Sequence, residues 1–211
     1  MLYINDHIET LDWEAHLQEL PEDRREKCLR IKHDTGRRQC VAVWLLLREA
    51  LQTEFGLTVV PDVAIAEHGK PYFPDRPDLH FSLSHCATAV ACAVDTRPVG
   101  VDIERVRPFN DTLAAYVFNE QELAYVRQAP NPALAFTMLW TKKESLLKMT
   151  GEGLRNDLKG LLVNSPYHFQ TLVTPDSQYV CSCCRDGGDL EVWKGCRGQF
   201  HRLVATAGII V

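Results

Sequence analysis

No stretch of this chain stays apolar for long. The longest uninterrupted run, Val41 to Leu47, is far too short to span a bilayer. The first residues, Met-Leu-Tyr-Ile-Asn-Asp-His, lack the basic start and long apolar core of a signal peptide. Both absences predict a cytoplasmic protein with no membrane partner, in which the eight cysteines stay reduced. The two Cys-x-x-Cys pairs that a zinc ribbon requires are missing as well. Cys181, Cys183 and Cys184 cluster, with Cys196 beyond Gly187-Gly188, and the alternation of Cys181 and Cys183 fits buried strand positions instead. There is no surplus of positive charge: the formal net charge of −5 argues against a general nucleic-acid binder. Low-complexity segments, long linkers and a Gly-x-x-x-x-Gly-Lys-Ser/Thr phosphate loop are also absent.

What remains is an ordinary soluble composition, 45% hydrophobic and 24% charged over 211 residues. A chain of this size can bury roughly 70% of its unfolded surface and needs no staple. Its organising stretch runs from Asn131 to Gly153. Asn131 suits an N-cap, Pro132 the first helical position and Gly151 the stop. At 100° per residue, Phe136, Leu139, Trp140, Leu146 and Leu147 share one apolar stripe. Lys143 falls in the middle of that stripe, with Glu144 and Lys148 on its edge, four apart. An ammonium in such a place must snorkel, find a partner or line a polar cleft.

Read in order, residues 2–4 predict a first strand and Leu11 to Leu20 a modest helix closed by Pro21. A basic segment follows, with Arg24, Arg25, Lys27, Arg30 and Lys32. A solvated helix face and a site for a multiply charged anion are both open readings of it. Arg37 to Phe55 predicts a long helix ended by Gly56. Thr58 to Ala66 predicts a strand, and Glu67 to Tyr72 a turn presenting Lys70. Leu79 to His85 alternates like a half-buried strand and leads into the more uniformly buried Ala87 to Val94, with a tight turn at Asp95-Thr-Arg-Pro98. In Val99 to Arg105, Val99, Val101 and Ile103 take one face of a strand, and Gly100, Asp102 and Glu104 the other. Carboxylates two apart on a strand lie about 6.5 Å from each other and can converge on one cation, with Gly100 leaving room beside them. Phe118 to Glu122 opens a further helix, and Leu154 to Val211 predicts several strands. Leu47-Arg-Glu-Ala-Leu faintly echoes Lys143-Glu-Ser-Leu-Leu, as two similar α+β halves divided near residues 97–99 would.

Asp102, Glu104, Glu144, two lysines and His85 are candidate parts of one site. Acidic oxygen ligands without Cys/His spacing favour Mg²⁺ or Mn²⁺ over zinc, and Mg²⁺ readily shares substrate phosphate oxygens. The chemistry this predicts is metal-assisted attack on a phosphoryl group.

The residues resemble a known family, the 4'-phosphopantetheinyl transferases of the Sfp type. The resemblance rests on Gly69-Lys-Pro71, Phe81-Ser-Leu-Ser-His85, Gly100-Val-Asp-Ile-Glu104, Phe118-x-x-x-Glu122 and Trp140-Thr-Lys-Lys-Glu-Ser-Leu-Leu-Lys148 with Gly151 and Gly153, in the family's order. Arg25-Glu-Lys-Cys28 looks like the family's basic N-terminal segment. The motifs cover roughly residues 20 to 154. The resemblance implies an α+β, pseudo-twofold monomer of two similar lobes (1–98 and 99–211), each a small sheet packed with a long helix, with coenzyme A between them. It implies Mg²⁺-dependent transfer of the 4'-phosphopantetheine arm to a serine of an apo acyl or peptidyl carrier protein, releasing 3',5'-ADP. Asp102, Glu104 and Glu144 take the metal-ligand positions. Lys143, Lys148 and His85 match positions facing the diphosphate, Lys70 and Ser84 further coenzyme A contacts, and Arg24 and Lys27 positions holding the 3'-phosphate. Arg24 stands where lysine is common, which keeps the charge and alters the reach. Glu144, or a water held by it or by Glu122, would accept the serine proton. The alternatives are a Mg²⁺-dependent phosphodiesterase on the same carboxylates and a non-catalytic coenzyme A or carrier-binding module.

Overall fold

A computed structural model describes residues 1–86, 88–153, 157–194 and 201–202. The chain enters on a buried strand, β1 (Leu2–Asn5), and then makes one helical turn, α1 (Trp13–His16), capped by the Asp12 carboxylate on the Ala15 amide. That turn and a 3-10 turn at Leu17–Glu19 replace the longer helix predicted over Leu11 to Leu20. The basic segment forms α2 (Glu22–Arg30), and the long helix α3 (Asp34–Phe55) stops where Gly56 adopts the left-handed conformation. The strand predicted from Thr58 shrinks to β2 (Ala64–Ile65), paired with β3 (Pro71–Tyr72). Val59 is 76% exposed, Val60 and Val63 are only half-buried against the core under α3, and Pro61 has no amide for a ladder. Next come the antiparallel pair β4 (His80–Cys86) and β5 (Ala89–Asp95), then the acidic strand β6 (Val99–Arg105).

The second half opens with α4 (Asp111–Val117) and α5 (Glu120–Gln128), the latter started by a capping box between Asn119 and Glu122. The organising helix is α6 (Pro132–Thr150), with Asn131 at its N-cap and left-handed Gly151 at its end, as the sequence predicts. It is followed by β7 (His168–Val173), β8 (Tyr179–Arg185), β9 (Val192–Lys194) and β10 (His201–Arg202). Among the described residues the strands make a five-stranded sheet, β10-β9-β1-β5-β4, a three-stranded antiparallel sheet, β6-β8-β7, and the β2-β3 pair. Mixed helix and sheet, with strands and helices in separate runs, is an α+β arrangement. Among the described residues no helix is long and apolar enough to cross a membrane.

Strand alternation sorts the core. Tyr3, Val90, Cys92 and Val94 pack with Val41, Trp44, Leu47 and Leu51 of α3. Leu2, Ile4, Ala89, Ala91 and Ala93 pack instead with Val99, Val101 and Ile103, together with Cys181 and Cys183 of β8. The cysteines are therefore core residues, and burial pushes the thiols up. Cys196 lies outside the described residues.

The apolar stripe predicted for α6 is only part of its packing. Phe136, Leu139 and Trp140 do pack against Phe118 and Val126 of the α4–α5 region. The face turned to the β6-β8 sheet is built of smaller residues: Thr141 and Ser145 are fully buried, and the Thr141 hydroxyl bonds Ser182, which bonds Thr171. Gly100 explains the closeness. A Cβ there would lie 2.0 Å from the Ser145 carbonyl oxygen and 2.4 Å from the Met149 amide. The room left by Gly100 is thus taken by the helix backbone, not by a cation. A Gly100→Ala change would push the helix off the strand, at a cost of about 1–3 kcal/mol.

Candidate active site

Asp102 lies where β6 passes under α6 beside the edge of β4, and is 4% exposed. Its Oδ1 accepts two hydrogen bonds, from the Ser84 hydroxyl at 2.8 Å and from the Lys148 ammonium at 2.6 Å. Lys148 also donates to Ser84 Oγ at 2.9 Å, which closes a three-membered ring of contacts. Asp102 Oδ2 is buried and, among the described residues, has no hydrogen-bond partner. An ionised oxygen in that condition is costly unless a proton or cation faces it.

Two further carboxylates are near enough to feel this one. Burial, then Asp102, then Glu144 push Glu104 above the usual carboxylate range, against the pull of Arg107 and Lys148. Burial and then Asp102 raise Glu144, with Lys148 opposing. Desolvation first, then the charges of Lys148 and Lys27, hold His85 below its ordinary value. Asp102, Glu104, Glu144, Lys148 and His85 therefore form one electrostatic neighbourhood, and Lys27 reaches it from α2. Arg107 belongs to it too. Sequence reasoning missed Arg107, because a lone arginine after a strand carries no motif.

Among the described residues no three His, Cys, Asp or Glu side chains are already gathered as a metal cage. The donor set nevertheless fits a hard divalent cation: carboxylate oxygens only, mutually repelling, with one buried oxygen unpaired. The carboxylates of Asp102, Glu104 and Glu144 would supply the protein ligands.

Other predicted residues lie around this group. Arg24 stacks its guanidinium 4.8 Å from the Trp44 ring centroid, and its buried Nε lies 3.8 Å from Asp23 Oδ2, with no hydrogen-bond partner among the described residues. Lys27, on the same helix, is exposed. Lys70 reaches the C-terminal turn of α6, where it donates to the Met149 carbonyl and lays its stem over Gly151. Burial lowers its pKa.

Lys143 and Glu122 are placed differently from the expectation. The resemblance turns Lys143 toward a diphosphate, but its side chain is 0% exposed. It donates to Glu122 Oε2 at 2.8 Å and to the Leu158 carbonyl at 2.7 Å, 5.5 Å from the Phe118 ring centroid. Glu122 Oε2 also accepts the Asn119 amide at 3.0 Å, so this oxygen serves as cap and counter-ion together. The charges acting on Lys143 are Glu122 and Asp157, not the Asp102 group. The position after Trp140-Thr141-Lys142 therefore holds a structural ion pair, because α5 delivers a carboxylate to a helix face that water does not reach. A cavity of about 440 Å³ lined by Asn5, His7, His16, Leu45, Arg48 and Glu49, among others, contains none of these residues.

The comparisons agree with this picture. The family model for the 4'-phosphopantetheinyl transferase superfamily matches residues 98–192, the span from β6 to the start of β9. A 4'-phosphopantetheinyl transferase of Bacillus subtilis is 36% identical over 136 residues, 63% of this chain and 60% of that protein. The 4'-phosphopantetheinyl transferase Sfp of Bacillus subtilis strain 168 is 29% identical over 185 residues, 85% of this chain and 82% of that protein. AcpT of Salmonella typhimurium, another 4'-phosphopantetheinyl transferase, is 36% identical over 115 residues, 52% of this chain and 59% of that protein. The chain thus spans about 60% of the length of two of these relatives and most of the third. Over residues 98–192 the chain is thus similar to the 4'-phosphopantetheinyl transferase superfamily, and over most of its length to Sfp of Bacillus subtilis.

Proposed function

We propose that the protein transfers the 4'-phosphopantetheine arm of coenzyme A to a serine of an apo carrier protein, acyl or peptidyl, in a reaction dependent on Mg²⁺ or Mn²⁺. The observation that carries this reading is the unpaired, buried Asp102 Oδ2 beside Lys148, within reach of the charges on Glu104 and Glu144. In the reaction the carrier serine oxygen forms a bond to the phosphorus bearing the pantetheine arm. The bond from that phosphorus to the bridging oxygen breaks, and 3',5'-ADP leaves.

Asp102, Glu104 and Glu144 would hold the metal, which when bound neutralises charge on the phosphate oxygens. Lys148 and His85 border the same space and would meet the diphosphate, the lysine as a fixed positive charge. Lys70 would add a cation from the β3 side, and Arg24 and Lys27 would hold the 3'-phosphate from α2. Glu144, whose affinity for a proton is raised by burial and by Asp102, suits the role of proton acceptor for the serine, directly or through water. Glu122, whose Oε2 is held by Asn119 and by Lys143 away from the Asp102 group, suits it less. Lys143 would contribute by holding α5 against α6. Residues 1–98 and 99–211 would form two lobes of one monomeric unit around the coenzyme, tied together by the parallel pairing of β9 with β1.

The test is to mix the protein with coenzyme A, Mg²⁺ and several apo carriers, and to read each carrier's mass. A gain of one phosphopantetheine unit that requires coenzyme A and is abolished by EDTA supports the proposal. Consumption of coenzyme A without a carrier would make the protein a phosphodiesterase. Binding of coenzyme A with neither outcome would make it a binding module.

A further inference from the structure

The resemblance assigns Ser84 to coenzyme A, but its hydroxyl has no capacity left for it. A serine hydroxyl offers one donor and two acceptor sites. Ser84 uses its donor on Asp102 Oδ1 and accepts from the Ile103 amide at 3.2 Å and from Lys148 at 2.9 Å. The residue is buried among these partners. Two residues back on β4, Ser82 accepts from the Val101 amide at 3.0 Å. The two serines thus stitch β4 to β6 across the junction of the two sheets, in matching steps of two. Ser82 holds backbone only. Ser84 holds the Ile103 amide and the neighbouring side chain of Asp102 together.

We propose that Ser84 is a positioning residue for Asp102 and not a contact of coenzyme A. Together with Lys148 it takes up both lone pairs of Oδ1, so the carboxylate's free capacity is confined to Oδ2, the oxygen with no partner. Its role is to present that single oxygen to a divalent cation in a fixed direction, through a hydroxyl anchored to β6 itself. The inference rests on the metal reading of the proposed function.

The experiment compares the intact protein with Ser84→Ala, Ser84→Cys and Ser82→Ala. Mn²⁺ affinity is read from the paramagnetic signal of free Mn²⁺, with and without saturating coenzyme A. Coenzyme A affinity is read calorimetrically in EDTA. Ser84→Ala is expected to weaken Mn²⁺ binding about 10–100-fold, the usual effect of losing a partner of a metal ligand, while coenzyme A affinity in EDTA stays within about twofold. Ser84→Cys keeps the volume but is a weak donor, so it is expected to fall between Ser84→Ala and the parent, and it carries the test if Ser84→Ala does not fold. Ser82→Ala loses a strand stitch only and is expected to keep both affinities within about twofold. Equal losses of Mn²⁺ affinity in Ser82→Ala and Ser84→Ala would reduce Ser84 to a structural stitch. Unchanged Mn²⁺ affinity in both Ser84 variants, or weakened coenzyme A binding in EDTA, would overturn the inference and leave the metal reading standing. A parent protein that binds no Mn²⁺ under either condition would remove the metal reading and the inference with it.

Discussion

Lys143 and Lys148 stand five residues apart on one helix, carry the same charge and are each hydrogen-bonded to a carboxylate. Yet Lys143 is enclosed, with a private counter-ion whose same oxygen also caps α5, whereas Lys148 is 31% exposed and joins a carboxylate that stands near two others, Glu104 and Glu144. Each pair leaves one buried carboxylate oxygen without a hydrogen-bond partner among the described residues, Glu122 Oε1 and Asp102 Oδ2, so an unpaired oxygen alone does not mark a site. The comparison teaches that the surroundings decide. Lys143 feels Glu122 and Asp157 within a closed helix face, whereas Asp102 bears on two further carboxylates, Glu104 and Glu144, beside a partly exposed lysine.

The largest effect should come from breaking the enclosed pair. Lys143→Met strands a buried Glu122 charge, with an expected loss of about 3–5 kcal/mol in urea denaturation. Adding Glu122→Gln removes that charge and keeps an acceptor for the Asn119 amide, so the double variant should recover most of the loss. A Lys143→Met protein with parental stability and defective transfer would instead place this lysine at the reacting phosphates and erase the contrast.

The open pair should respond in the opposite way. Asp102→Asn should leave the protein folded, since an amide can still accept from Ser84 and Lys148, while carrier modification falls roughly 10²–10³-fold. The contrast between the pairs is sharpest when stability and transfer are measured on the same two variants. If Asp102→Asn unfolds, the Asp102 pair is as structural as the other.

Arg24 offers a cation of a third kind, braced on an aromatic ring with its Nε 3.8 Å from the Asp23 carboxylate. Arg24→Ala should weaken coenzyme A by about 1.5–3 kcal/mol and dephospho-coenzyme A much less, as measured by competitive binding. Equal weakening of both would make it a general electrostatic feature.

The smallest effect concerns Glu144. Its folded-state pKa is raised, so the unfolded chain gives up the proton first as pH rises past the usual value of 4.5. Stability therefore declines from that pH upward through the folded value, and at neutral pH the charged form carries the full cost. Glu144→Gln should accordingly raise the melting temperature at pH 7, by less than about 1 kcal/mol in stability, with the gain vanishing in acid below pH 4.5. Mg²⁺ should stabilise the parent more than this variant. A variant less stable than its parent at pH 7 would show Glu144 to be a favourable partner rather than a crowded one.

Much of this molecule is determined by residues acting on their nearest neighbours. Asn131, Pro132 and Gly151 delimit α6 because caps depend on local amides and local φ angles. Alternation sends Val99, Val101 and Ile103 to one side of β6 and Asp102 to the other because successive strand side chains point to opposite faces. Those features, with the motif order, were legible without a fold. Which lysine of α6 meets a private carboxylate was not, since Glu122 comes from another helix and only the crossing of α5 and α6 delivers it. The tight contact at Gly100, the hydroxyl chain of Thr141, Ser182 and Thr171, and the saturation of Ser84 likewise join residues far apart in sequence. Local rules place the charges on their elements. Only packing decides which of them are already paired, and so which remain free to act.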